Sequence, residues 1–277
     1  MEFTQFTDPV ANHGEGPCWS PTWGGLRFVD MLEGDLLTVV GNSIHRLHTG
    51  SKVAAFVRPR QNGGFVVGLE RGLGIADDPF GPVSALPEMW SDPDIRMNEG
   101  ATDPWGNLYC GSMSYSRIPN AGTLWRVGLE TEVVLPEVTT SNGLDFAPDH
   151  AHAYYNDTAV RATDVFDVVR GDLTNRRTFH EAVGTSPDGL TVDSEGNVWV
   201  ALNRVGRVRL YSPTGEMLGE WDLPVRGVTA LTLGGDDMRD LFVTTSRNGL
   251  DDPEPEAGAV FHARVEVPGK PVTPWLG

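Results

Sequence analysis

Short apolar runs alternate with turn-forming clusters along almost the whole chain, and one unit keeps returning: an apolar strand, a polar turn and a second apolar strand. Gly16 opens GPCWSPTWGGLRFVD, Gly100 opens GATDPWGNLYCGS, Gly143 opens GLDFAPDHAHAYYND, and Gly189 opens GLTVDSEGNVWVA. A fifth unit without the glycine runs from Ala230 to Thr245. The turns between the two runs are rich in Pro, Asp, Ser and Gly, which reverse a chain, so each unit is a predicted β-hairpin. The units recur every ~40–50 residues, and the stretch between Gly16 and Gly100 is two such periods long. Gly63–Leu69 followed by Gly72–Ala76 supplies a further pair of short strands there. No segment holds an amphipathic helical period over three turns. The pattern predicts an all-β fold, a six-bladed β-propeller with four antiparallel strands per blade, occupying residues 1–277 as one domain. Propellers commonly close by lending a terminal strand to the blade at the other end of the chain, so Glu2–Thr7 is expected to pair with the blade holding Val260–Val267.

In such a ring the innermost strand of each blade lines a central channel, and equivalent positions face one axis. The residue before the repeat glycine is Glu15, Glu99, Asn142 and Asp188 in four units. Any one of these could simply cap a strand. Four oxygen-bearing side chains in register would repel one another without a counterion, and hard oxygens suit a divalent cation: Ca, Mg or Mn, with Zn tolerated.

Composition narrows the partners. Lys plus Arg is 21 against 38 Asp plus Glu, a formal charge of −17, which disfavours nucleic acid and anionic membrane surfaces. Mean hydropathy is −0.24, no apolar run approaches 18 residues, and the first ten residues lack the features of a secretion signal. A cytoplasmic protein without a membrane partner is expected. Cys18 and Cys110 form no CxxC, the seven histidines show no metal-binding spacing, and there is no GxSxG. A side-chain nucleophile is therefore a poor candidate, and water a better one.

Several segments in this order and spacing resemble the SMP-30/gluconolactonase/luciferin-regenerating-enzyme-like family: Glu15-Gly16-Pro17 with LRFVDM at 26–31, GGFVVGLERG at 63–72, RMNEGATDPWGNLYCGSM at 96–113, GTLWR at 122–126, SNGLDFAPDHAHAYYNDT at 141–158, PDGLTVDSEGNVWVA at 187–201, and 233–245. The resemblance implies that Glu15, Asn142 and Asp188 hold one divalent metal ion, and that Arg96 and Asn98 bind oxygens of a small lactone or ester. Glu99 stands where the family often has Asp, beside the substrate or one step behind it. Hydrolysis would use water, with Asp188 as base and Glu15 as the second candidate. Two loops depart from the family pattern, Ser114–Arg117 and Asn203–Arg207. Tyr115, Arg117 and Arg204 are therefore expected to shape specificity, and the lactone need not be that of a sugar. Two alternatives stay open: a calcium-responsive propeller that binds without catalysis, and a non-hydrolytic reaction in the same pocket.

Overall fold

The computed structural model describes residues 1–182 and 184–277. Its strands form six four-stranded antiparallel sheets arranged as the blades of a β-propeller. In blades 1 to 5 four consecutive strands pair in chain order, starting from an inner strand: Gly14–Ser20, Val57–Pro59, Ile95–Thr102, Ser141–Phe146 and Ser186–Val192. Blade 6 consists of Val228–Gly234, Asp240–Thr245 and Phe261–Arg264, and Thr4–Gln5 joins as its outermost strand. Thr4 lies opposite His262 and Gln5 opposite Phe261, so the N-terminal segment closes the ring as expected. The Phe6 ring then packs on Phe242 at 5.0 Å between centroids, adding apolar contact to a very short strand pairing. Among the described residues no helix is long and apolar enough to cross a membrane.

Blade 2 departs from the simple repeat. Its glycine-rich run forms the second and third strands, Phe65–Gly68 and Leu73–Ala76, not the inner hairpin that the other units form. Phe56 occupies the place of the repeat glycine. A Cβ on Gly16 would lie 2.6 Å from Phe56 Cα, and one on Gly100 would lie 2.5 Å from the Phe56 ring. Phe56 thus closes on both neighbouring blades, with its backbone against Gly16 and its ring against Gly100, and its place in the repeat removes the glycine signature from this blade.

The other repeat glycines have the same cause. A Cβ on Gly143 would stand 2.4 Å from the Leu190 nitrogen, and one on Gly189 would stand 2.6 Å from Ala230 Cα. Backbones of adjacent blades touch here, and only glycine allows it. Beside these contacts the inner strands bulge. Pairing with the second strand slips between Glu15 and Cys18, Met97 and Glu99, Ser141 and Leu144, Pro187 and Leu190, and Val228 and Leu231. A bulge re-aims side chains, and each slip falls at or beside the residue that precedes the repeat position.

The segment after the last strand crosses the opposite end of the channel. Gly269 bridges to Asp193 in blade 5, Thr102 Oγ1 in blade 3 donates to the Thr273 carbonyl at 2.5 Å, and Trp275 bridges to Arg60 beside blade 2. Lys270 Nζ meets Asp145 Oδ1 at 2.6 Å. Beneath this strap lies a cavity of about 280 Å³, lined in part by Arg58, Thr102, Thr191 and Lys270.

Candidate functional site

Glu15, Glu99, Asn142 and Asp188 are all at most 6% exposed, so desolvation dominates their chemistry. Each is fixed by one part of its polar group. Glu15 Oε2 accepts from the Gly16 N–H at 3.2 Å, and Glu99 Oε1 accepts from the Gly100 N–H at 2.8 Å. Asn203 Nδ2 donates to Asp188 Oδ2 at 2.6 Å. Asn142 Nδ2 donates to Thr158 Oγ1 at 2.7 Å, and that hydroxyl donates to the Pro187 carbonyl at 2.8 Å. This strut between blades 4 and 5 orients the Asn142 amide. Among the described residues, Glu15 Oε1, Asn142 Oδ1 and Asp188 Oδ1 accept no hydrogen bond.

The remaining two blades do not contribute a carboxylate. Blade 2 presents Ala55 and Phe56, and in blade 6 Thr229 Oγ1 donates to the Gly14 carbonyl at 2.6 Å, tying its inner strand to that of blade 1.

Like charges in a desolvated space raise one another's pKa. Burial, with Asp188 and Glu99 nearby, holds Glu15 well above the usual carboxylate range. Burial and the Glu99 charge push Asp188 up to about 7, against the opposing pull of the Asn203 hydrogen bond and of Arg96 and Arg204. Glu99 is raised by burial too, opposed chiefly by Arg58, whose Nη2 lies 3.6 Å from Glu99 Oε1. Arg58 also lines the cavity under the strap.

Two carboxylates and a carboxamide, each with an oxygen left free, form a hard donor set suited to Ca, Mg or Mn and open to further ligands. The raised carboxylates are what a divalent cation would neutralise, so these residues fit such an ion. Among the described residues there is no cluster of three or more His, Cys, Asp or Glu poised for a metal; the amide of Asn142 is needed to complete this set.

Arg96 is buried and well anchored. Its Nη1 donates to Asn98 Oδ1 at 2.7 Å and to the Met97 carbonyl at 2.9 Å, and its guanidinium lies 5.7 Å from the Tyr115 ring centroid. Burial draws its pKa below the ordinary arginine value. Asn98 Nδ2 donates to the Ser141 carbonyl at 2.8 Å, so Asn98 links Arg96 to blade 4. The expected fork of donors is therefore partly engaged by the protein itself, with Nε and part of Nη2 left to meet a ligand. Tyr115 is half exposed on the loop after Ser114, and its hydroxyl donates to Glu70 Oε1 at 3.0 Å.

Sequence reasoning missed four supporting residues. Asn156 Nδ2 donates to the Asp188 carbonyl at 2.7 Å and is fully buried. Asn203, Arg58 and His13 are the others. His13 Nδ1 sits 2.7 Å from Ser246 Oγ, and burial beside Arg96 and Arg204 holds its pKa far down, which keeps the imidazole neutral. Hairpin register offered a signal for Asn203: it lies opposite Ser186, as Asp30 lies opposite Gly14 and Asp157 opposite Ser141. In blades 1 and 4 that position caps backbone, Asp30 accepting from Asn12 and His13 and Asp157 from Thr139 and Thr140. In blade 5 the same position must face Asp188, and an amide replaces the acid.

The thiols stand apart from this chemistry. Burial pushes Cys18 up to about 11 and Cys110 up to about 12, where neither forms a thiolate at neutral pH.

The family model described as "SMP-30/Gluconolactonase/LRE-like region" matches residues 13–247, and the chain belongs to this family. Among its relatives, a 6-deoxy-6-sulfogluconolactonase of Pseudomonas putida is 36% identical, with 92% of each chain covered. A regucalcin of Danio rerio is 32% identical over 90% of this chain and 89% of its own. A solved luciferin-regenerating enzyme superposes with a TM-score of 0.90 at 25% identity, covering 99% of both chains.

Proposed function

We propose that this propeller hydrolyses a small-molecule lactone, with a divalent ion held by Glu15, Asn142 and Asp188. The observation that carries this reading is that three buried side chains on blades 1, 4 and 5, Glu15, Asn142 and Asp188, each keep one oxygen that accepts no hydrogen bond among the described residues. Membership in a family that includes a named lactonase supports the choice of lactone as substrate. When bound, the ion supplies a Lewis acid for the carbonyl and lowers the pKa of water in its shell. Asp188 is the base that takes the proton from water, while Asn203 holds Oδ2 and the Asn156 amide fixes the backbone behind it. Glu15 is the second carboxylate available for that proton. Arg96 and Asn98 bind substrate oxygens, their mutual hydrogen bond setting the angle of the guanidinium. Glu99, paired to Arg58, bounds the site from below, and Tyr115 covers Arg96 at the mouth. Water is the nucleophile, since both thiols are buried and protonated. The compartment proposed is the cytoplasm.

The test is a chelated preparation reloaded with Ca, Mg, Mn or Zn and assayed on sugar, aliphatic and aryl lactones in ¹⁸O-labelled water. Turnover that returns with one ion and places solvent oxygen in the product supports the reading. Metal binding without turnover on any lactone would favour a binding propeller instead.

A further inference from the structure

The end of the ring that bears the site also bears arginines that lack acidic partners. In blades 3, 4 and 5 the turn from second to third strand places an arginine in left-handed backbone: Arg117 at φ 55°, Arg161 at 58° and Arg204 at 71°. Blade 1 uses Gly34 at φ 70° in the same turn. Left-handed backbone costs an L-residue about 1 kcal/mol or more, and seven other non-glycine residues of the chain bear it too, so what sets these three apart is their shared place at the site end and their lack of an acidic partner. Acids outnumber bases by 38 to 21, and Arg46, Arg60, Arg71, Arg126, Arg207 and Arg264 each hold a carboxylate. Arg117, Arg161 and Arg204 are exposed and, among the described residues, form no ion pair.

Two of the three flank the site. Arg204 follows Asn203, whose amide holds Asp188, and its Nη1 is pinned to the Gly249 carbonyl at 2.6 Å, which leaves Nε and Nη2 free to donate. Arg117 lies two residues beyond Tyr115, whose ring covers Arg96. Their fields reach inward, Arg204 acting on Asp188 and His13, and Arg117 on Arg96. Arg161 shares the rim but has no link to the site residues.

We propose that the substrate carries a negatively charged oxyacid group besides its reacting carbonyl, and that Arg204 and Arg117 recognise that group at the mouth of the site. The planar guanidinium matches a carboxylate, sulfonate or phosphate by paired hydrogen bonds. A protein of net charge −17 repels an anion at long range, so an anionic substrate needs local cations of this kind to enter. This inference rests on the lactone reading for the reacting group alone; the charge preference stands on the arginines.

The experiment compares one sugar lactone with its counterpart bearing a terminal sulfonate or phosphate, in the metal-loaded enzyme and in Arg204→Gln, Arg117→Gln and Arg161→Gln. The wild type is expected to favour the anionic lactone about 10-fold in kcat/KM, with the ratio shrinking as salt is added. Arg204→Gln and Arg117→Gln lower that ratio, chiefly through KM on the anionic lactone, while Arg161→Gln leaves it in place. Equal turnover of both lactones, or equal losses on both in Arg204→Gln, overturns the inference and leaves the lactonase reading standing. If neither lactone is hydrolysed, the lactonase reading fails, and calorimetric binding of the matching open-chain acids decides this one. Tighter binding of the acid with the extra anionic group, lost in Arg204→Gln, supports it; binding that ignores the extra charge overturns it.

Discussion

Replacing Asp188 by Asn should stabilise the metal-free protein while removing its activity. In the native state Asp188 is shifted from 3.8 to about 7, because burial and Glu99 disfavour its charge. The unfolded chain ionises this group near its ordinary value. Between those two values the native state holds one proton more than the unfolded state, so stability falls as pH rises, and the loss is complete above the native pKa. A displacement from 3.8 to about 7 corresponds to at most about 4 kcal/mol. Asparagine has no charge to bury, and its amide oxygen still accepts from Asn203. At about 2.1 cal/mol/K per residue, a chain of 277 residues converts that difference to ~7 °C in Tm. Thermal melts in EDTA should therefore show Asp188→Asn equal to the wild type near pH 4 and more stable by several degrees near pH 8. On the proposed metal site, saturating Ca should reverse the order, since an ion that binds only the native state stabilises it and the variant would lack one of the proposed ligands. A variant less stable than the wild type in EDTA at the higher pH, or an advantage that does not change with pH, would refute the reasoning.

Other perturbations follow from the same geometry. Gly16→Ala puts a Cβ against Phe56 in a backbone of φ 50° and should cost about 3 kcal/mol or more, read as a fall in Tm. Arg58→Ala leaves Glu99 buried without its cation; the loss, about 3 kcal/mol, should be largest at alkaline pH and smaller where Glu99 is protonated, as urea unfolding at two pH values would reveal. Asn203→Asp sets a second acid against Asp188 and removes its donor, so metal affinity measured by titration should drop about 10-fold or more.

The repeat was legible because its glycines and turn residues answer local demands. Gly143 and Gly189 are required by backbone contact between blades, and Asp193-Ser194-Glu195-Gly196 reverses the chain through bonds of its own, the Asp193 carboxylate accepting from the Glu195 and Asn197 N–H groups. Blade 2 was displaced for the opposite reason: its inner position is met by Phe56, whose bulk makes sense only once the glycines on either side of it are in place. The four residues before the repeat position were readable as a ring, and the bulges that aim them into the channel lie at those sites. What aligned hairpins could show only in part is the second tier. Asn203 and Asn156 act on Asp188 across strand or blade boundaries, and Arg58 reaches Glu99 from a strand with no visible motif. The strap from Gly269 to Trp275 has no periodic pattern at all, since its contacts are with the ends of blades far away in sequence.

That strap gives the channel a direction of traffic. With one end crossed by the chain itself, the proposed reaction would exchange its ion, water and substrate at the other end, which bears Tyr115 and Arg204. Opening a lactone creates a carboxylate, so on the proposed reaction the product leaves with one more negative charge than the substrate brought. On the proposed recognition by Arg204 and Arg117, it would do so past the same arginines that drew the substrate in. The hydroxy acid should then compete with fresh lactone for the same doorway, as product-inhibition kinetics would show.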